Sequence, residues 1–399
     1  MSDPPREGSI VEARVERMAY GGDGVARPDG LVVFVPWTAP GDRIRATLVE
    51  RRASWARARL DEVLEEGPDR VAPGCPVFGV CGGCQIQHLS PPAQRSAKAR
   101  AVADAFERIA RRALEPEPVC EAAAEPWHYR QRVVLTWRRT AEGLALGFHA
   151  AEDPTAVVPI HACPIFAEAG NRALGPLCRG LAVGLEPDDP GEGRLMIRAL
   201  PGEGVQAGVF APDVEAARRL AGLAAAQAGV PVTWGTWKSE GGPLSLAADA
   251  PRLEARFDYR ELNLRVGFDS FLQADLDAAE ALYDAALEAL HAEPGESVID
   301  GYAGIGVVAC HLASKGVKVT AVEAHPGAAS DLRANAARVL AAGRPPSSAH
   351  SRLPQFGRRL VLLWCKASKN LSALALSPFG GPARAYHGFR MPRLRASCW

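Results

Sequence analysis

The 57 residues from Gly343 to Trp399 contain no aspartate and no glutamate. They hold ten of the 46 Lys and Arg, so the formal net charge of zero conceals a division. The residues before Gly343 carry −10 and those from Gly343 on carry +10. Pro, Ser, Arg and Leu follow one another in this stretch without helical or strand period, as in a basic arm or a sequence not built for a packed domain. Long apolar runs are also missing. None approaches the ~18 residues that cross a bilayer, which excludes a membrane-spanning helix as an expectation. The start, Met1 to Gly8, is polar and has neither the basic stretch nor the apolar run of a signal peptide, so a cytoplasmic location is expected. With 47% apolar and 23% charged residues, the composition excludes a mainly disordered, collagen-like or coiled-coil chain. No internal repeat is found.

What is present begins with a small barrel. Ser9 to Val15 alternates, Tyr20-Gly21-Gly22-Asp23-Gly24 turns, and Leu31 to Pro36 is a short apolar strand. Pro40-Gly41-Asp42 turns again, and Arg43 to Glu50 and Arg57 to Val63 complete the set. Short strands with turns every 8–12 residues predict a barrel or sandwich. Arg43, Arg45, Arg51, Arg52, Arg57, Arg59 and Trp55 give it either a solvated face or a face that tracks RNA. From Ala93 to about Arg112 the period is helical. Val133 to Arg138 and Leu144 to His149 read as paired strands, with Arg130, Arg132, Arg138 and Arg139 beside Trp127, Tyr129 and Trp137. Those aromatics are either core or a platform for flipped bases.

Three of nine cysteines, Cys75, Cys81 and Cys84, lie within ten residues. Gly82 and Gly83 let the backbone fold back so that thiols converge on one ion or cluster. A fourth ligand must come from elsewhere. Cys163 in His161-Ala162-Cys163-Pro164 is the best candidate, ahead of Cys120 and Cys178. Four thiolates suit tetrahedral zinc or an iron–sulfur cluster, and the spacing leaves both open.

Farther on, Val298-Ile299-Asp300-Gly301-Tyr302-Ala303-Gly304-Ile305-Gly306 reads as strand, acid, glycine turn and helix. Gly304 and Gly306 permit close approach of a ligand to the backbone. Glu323 ends a second strand, where a carboxylate can take both hydroxyls of a ribose. The dinucleotide spacing G-x-G-x-x-G and the P-loop lysine are both absent. That pattern favours adenosylmethionine over a dinucleotide or ATP.

Together these residues resemble the RNA uracil-C5 (5-methyluridine) methyltransferases that carry an N-terminal TRAM barrel and an iron–sulfur cluster. The likeness runs from about Gly8 to Ala337. Its anchors are Gly22-Asp23-Gly24-Val25-Ala26-Arg27, Val33-Phe34-Val35-Pro36, Pro40-Gly41-Asp42, Cys-x5-Cys-Gly-Gly-Cys-x-x-Gln-His ending at His88, Tyr129-Arg130, Gly147-Phe148, Cys163-Pro164, Phe271-Leu272-Gln273 and the glycine turn. The resemblance implies a [4Fe–4S] cluster on Cys75, Cys81, Cys84 and Cys163, with zinc as the alternative. It implies adenosylmethionine held by Gln273, Asp300, Tyr302, Gly304, Gly306 and Glu323. Val307 stands where relatives have Asn after the turn.

The family's reaction uses a cysteine that adds to C6 of uracil, so that C5 attacks the donor methyl, and a glutamate that then removes the C5 proton. In the family these follow Asp-Pro-Pro-Arg and Ser-Cys-(Asn/Asp)-Pro, and neither motif is found here. Cys398, after Ser397, is the candidate nucleophile, but Trp399 follows it; Cys365 has no motif around it. The tail therefore reads as a shifted frame or a truncated copy. Coding DNA that restores both motifs in another frame would show this, and an intact frame would sink it.

The expected architecture is multidomain. A TRAM, OB-like β-barrel spans 5–66, and a central α+β domain with the cluster spans 67–250, its helix 93–112 packing on the catalytic domain. An incomplete Rossmann-like α/β methyltransferase domain spans 251–342, and an atypical basic tail spans 343–399, where disorder or low solubility is expected. The partner is RNA, with 23S rRNA favoured over tRNA, and the chain acts as a monomer. Two other readings stand beside this one: an RNA-binding protein that transfers no methyl group, and a zinc-binding nucleic-acid module without a methyl donor.

Overall fold

Alternation of small apolar and charged residues sets the first sheet. In the computed structural model, which describes residues 6–121, 125–238 and 242–341, five strands close into a barrel. They are β1 (Ile10–Met18), β2 (Gly24–Ala26), β3 (Val32–Val35), β4 (Arg43–Arg51) and β5 (Trp55–Glu65), in the order β1-β2-β3-β5-β4. Val15, Val33, Val35, Ile44, Ala46, Leu48, Ala56 and Ala58 fill its interior. The period of two that turns them inward sends the barrel arginines outward. Gly24 begins β2 because a Cβ there would collide with Thr38 Oγ1.

The turn after β3 is locked by a buried charge. Asp42 is fully buried and accepts from the amides of Ala39 (2.6 Å) and Gly67 (2.8 Å) and from Arg70 Nη2 (2.6 Å). Burial alone would raise its carboxyl, but Arg70 and the two amides outweigh that and hold it below the usual range.

Helix α1 (Pro91–Ile109) starts two residues earlier than its periodicity predicts. Prolines are tolerated in a first helical turn, whose amides have no partner within the helix, and Ser90 Oγ caps Ala93 N–H. Within its unit α1 sets Ala93 and Ala97 on Met18, Ala39 and Leu89 beside the barrel.

A seven-stranded sheet follows, in the order β12-β11-β10-β9-β6-β7-β8. Its strands are β6 (Arg132–Thr140), β7 (Gly143–His149), β8 (Val157–Pro159), β9 (Glu192–Leu200), β10 (Gly204–Ala211), β11 (Val232–Thr236) and β12 (Ser245–Leu246). All neighbours are antiparallel except β10 and β11, which α3 (Val214–Ala228) joins as a crossover. Helix α2 (Glu168–Gly184) packs on α3 so closely that a Cβ at Gly180 would lie 2.6 Å from Ala224 Cα. Leu135, Trp137, Leu177, Leu181, Leu195, Val209 and Leu220 are at the centre of this core.

Contacts divide the chain into two compact units. The first holds the residues up to Leu253 with Ala274–Asp277, and the second holds Glu254–Gln273 with the described residues from Ala278 on. The second contains the hairpin β13 (Glu254–Tyr259) and β14 (Leu262–Gly267). Its remaining elements are α4 (Leu276–Leu290), most of which belongs to this unit, then β15 (Ser297–Gly301), α5 (Val307–Ser314), β16 (Lys318–Val322) and α6 (Pro326–Ala341). β15 and β16 pair in parallel, Asp300 opposite Ala321, which is the βαβ unit the sequence predicts. Leu290, Val298, Val308, Leu312 and Val317 pack beneath it. No helix among the described residues is long and apolar enough to cross a membrane. Cys365, Cys398 and the basic tail, with the disorder expected there, lie outside the described residues.

Candidate functional site

Two places gather the predicted residues. In the first unit, one cavity is lined by Cys75, Cys81, Cys84 and Cys163 together with Phe78, Gln87 and Arg130. The loop that carries the first three thiols is seated on the end of the β7–β8 hairpin. Gly82 N–H donates to His149 O (2.9 Å), and a Cβ at Gly82 would press to 3.1 Å on that carbonyl. Gln87 Oε1 accepts from Cys75 N–H at 3.2 Å. The other loop is fixed by Asn171 of α2, which accepts from Cys163 N–H (2.8 Å) and donates to the Cys163 carbonyl (2.9 Å).

The thiols sense one another. Burial pushes Cys163 up to about 11, and neighbouring Cys84 and Cys75 add to the shift against the amides of Ile165 and Phe166. Cys81 is raised by burial too, with Gly83 N–H opposing (3.4 Å to its Sγ). Such thiols stay protonated at neutral pH until a metal displaces the proton. Cys120 and Cys178 do not line this cavity. Among the described residues, no group of three or more His, Cys, Asp or Glu is gathered tightly enough to hold a single metal ion.

In the second unit, the strand end and the glycine turn form a cradle. Gly304 and Gly306 have φ of +58° and +89°, and Tyr302, an exposed residue, is held at +64°. A non-glycine residue in the left-handed region costs energy, and such residues cluster at sites of function. A Cβ at Gly301 or Gly304 would meet nothing within 4 Å, so open space lies over the turn. Glu323, just past β16, faces the turn. Its Oε2 accepts from Gly304 N–H (2.8 Å) and its Oε1 from His325 N–H (2.7 Å), which leaves a lone pair on each oxygen for a diol. Asp300 is buried beneath. Desolvation raises its carboxyl to about 6, the Ala309 amide of α5 pulls it down, and Glu323 pushes it up. Gln273 lies in the segment joining β14 to α4 and is half-buried.

Two residues of this site escape sequence reasoning. Asp331 and Asn335, one turn apart on α6, are each 1% exposed. Their only signal is the i, i+4 spacing of polar residues on the same face as Ala328, too weak to separate from a solvated helix.

The proposed RNA faces need correction. Trp137 is fully buried in the central core, so it cannot be a base platform. Arg138 is paired with Glu192 (2.6 Å), and Arg139 donates to the carbonyls of Glu186 and Pro187. On the barrel, Arg43 and Arg45 share Glu12, Arg52 meets Glu50, Arg57 meets Asp23 and Arg59 meets Asp61. The barrel arginines thus form a ladder of matched charges. The cations without hydrogen bond or ion pair in this region include Arg95 and Lys98 of α1, and Arg111 and Arg112 just beyond it.

Comparison with known proteins gives these sites a context. A TRAM-domain family model matches residues 4–60, the barrel. The 23S rRNA (uracil(1939)-C(5))-methyltransferase RlmD of Alkalilimnicola ehrlichii is 32% identical over 348 residues, 84% of this chain and 74% of that protein. The RlmD of Shewanella amazonensis is 30% identical over 333 residues, 82% of this chain and 73% of that one. Among solved structures, the Pyrococcus abyssi tRNA (uracil-54, C5)-methyltransferase in complex with S-adenosyl-L-homocysteine superposes with a TM-score of 0.59. It covers 82% of this chain and 76% of its own at 22% identity, a likeness of fold. The sequence relatives, matched across both units and not through the barrel alone, show that the chain belongs to the family of RNA uracil-C5 methyltransferases.

Proposed function

We propose that the chain uses adenosylmethionine to methylate C5 of a uridine in RNA, with 23S rRNA as the substrate and the cytoplasm as the place of work. The observation that carries this reading is the cradle of the second unit, with Glu323 fixed by two amides over an open glycine turn in a chain whose relatives are 23S rRNA enzymes. Adenosylmethionine, when bound, supplies an electrophilic methyl group. Glu323 accepts from its ribose hydroxyls, the Tyr302 ring covers the adenosyl part, and Gln273 takes its polar groups. Asp300 anchors the turn through the Ala309 amide. RNA phosphates are held first by the uncommitted cations Arg95, Lys98, Arg111 and Arg112.

The four-thiol cavity is read as the seat of a [4Fe–4S] cluster. One zinc needs its sulfurs ~2.3 Å from a single centre. A cubane carries each thiolate on a separate iron, and the four cysteines that line one cavity would supply one thiolate to each. Iron and sulfide analysis separates the two.

A second reading is favoured by one observation: residues 343–399 hold no Asp or Glu and no Ser-Cys-(Asn/Asp)-Pro, so the family's glutamate base is not supplied there. On that reading the chain binds RNA and donor but transfers nothing. Both are tested by binding of labelled adenosylmethionine and by methyl transfer to 23S rRNA in the same tube. Binding with transfer supports the first, and Cys398→Ala should then abolish transfer while leaving donor binding. Binding without transfer supports the second. Absence of binding overturns both.

A further inference from the structure

We propose that Asn335 and Asp331 are positioning residues that hold the two separate chain segments of the donor site in register; this rests on the reading of that site as an adenosylmethionine cradle.

Asn335 pairs with a strand as another strand would. Its Oδ1 accepts from Arg265 N–H (2.7 Å), and its Nδ2 donates to Arg265 O (3.0 Å). The same Nδ2 reaches the carbonyl of Ile305 (2.9 Å), the residue between Gly304 and Gly306. One side chain therefore ties β14 to the glycine turn. Asp331, one turn earlier, continues the tie along the chain. Its Oδ2 accepts from Gly267 N–H (2.6 Å) and from the Ser270 hydroxyl (2.5 Å), and its Oδ1 accepts from Arg265 Nε (2.8 Å). Ser270 stands three residues before Gln273. The amide of Gly304, in the turn that Asn335 holds, in turn fixes Glu323.

Backbone fit supports the assignment. A Cβ at Gly306 would collide with Leu332 Cδ1, and one at Gly267 would lie 2.9 Å from Asp331 Oδ2. Both segments are therefore close against the same turn of α6, and Gly306, at a φ of +89°, holds a conformation that favours glycine. Burying a carboxylate and an amide is costly unless every polar group is satisfied, and an apolar pair of similar volume would pack α6 at no such cost. What the polar pair adds is a single allowed register, which a satisfied buried network enforces. Neither residue reaches the open space over the turn, so they act through Glu323 and through the Gln273 segment.

The test is titration of the full-length chain with adenosylmethionine, read as the dissociation constant of the folded protein. Asn335→Asp keeps the acceptor for Arg265 N–H but replaces the donor to Ile305 by a carboxylate facing a carbonyl. It should weaken donor binding by about tenfold or more. Ser270→Ala removes one bond only and should weaken binding less, by about threefold. It also covers the case in which Asn335→Asp fails to fold. Val317→Ala, a cavity in the core beneath β15 and away from the clamp, lowers melting temperature but should leave affinity within about twofold. A merely structural role predicts that affinity follows melting temperature across all three. Parent-like affinity in both Asn335→Asp and Ser270→Ala overturns the inference and leaves the donor site standing. A parent that does not bind adenosylmethionine overturns the reading of the site and the inference together.

Discussion

Asp300 shows how one buried carboxylate makes a site lose stability as pH rises. Its folded carboxyl titrates near 6 against an ordinary 3.8 because the strand end is desolvated. The folded state therefore holds the proton more tightly than the unfolded chain between those values, and stability falls as pH rises through that window. Asp300→Asn keeps an acceptor for the Ala309 amide and removes the titration. Thermal melts between pH 4 and pH 7 should show a flatter profile for the variant, with its gain confined to the upper end. A parallel profile in parent and variant would refute this. Glu323→Gln makes a complementary case. Gln still accepts from one of the two amides, yet loses the charge that a ribose diol favours, so the donor dissociation constant should rise by about tenfold by calorimetry. The placing of the acid, the glycines and the glutamate at a strand end and its turn is legible in sequence, because strand, turn and helix follow one another in a fixed pattern there. Asp331 and Asn335 are not, because an Ala-rich helix such as α6 does not declare which polar residues turn inward.

At the scale of elements, the strands of the barrel and the βαβ unit follow from their period and their turns. The three-residue β2 does not, since Gly24, Val25 and Ala26 are all buried and have no alternation to read. Helix α1 begins at two prolines that periodicity counts as loop. The arginines of β4 and β5 are where alternation puts them, but the partners Glu12 of β1 and Asp23 of the turn before β2 are brought to them only by the closed barrel. This ladder has a measurable outcome. Arg95→Gln with Lys98→Gln should lower the slope of log affinity for 23S rRNA against log salt by about one to two, since each lost phosphate contact removes ~0.7–0.9. Arg43→Gln with Arg45→Gln should change the slope little. Equal loss in the two pairs, measured by filter binding over a range of salt, would place the phosphate contacts on the barrel after all.

Within each unit, distant stretches of chain come together: at buried polar contacts in the second, and around one cavity lined by four thiols in the first. A cluster on Cys75, Cys81, Cys84 and Cys163 would cross-link two loops far apart in sequence, and binding energy at such a site is folding energy. Cys163→Ser should therefore yield protein with lowered iron and sulfide and a lower melting temperature. Full iron content in that variant would remove Cys163 from the ligand set. Its convergence with the other three is the part of the site least accessible to spacing, because it depends on how the β7–β8 hairpin seats the Cys81 loop. The paired barrel face has a wider consequence. Matched charges cancel beyond the Debye length, ~8 Å at physiological ionic strength. To a passing polyanion such a surface is electrically silent: it neither draws in bulk nucleic acid nor repels it. Any strand the barrel grips must be tested by touch after arrival, so abundant non-cognate RNA would occupy it only briefly.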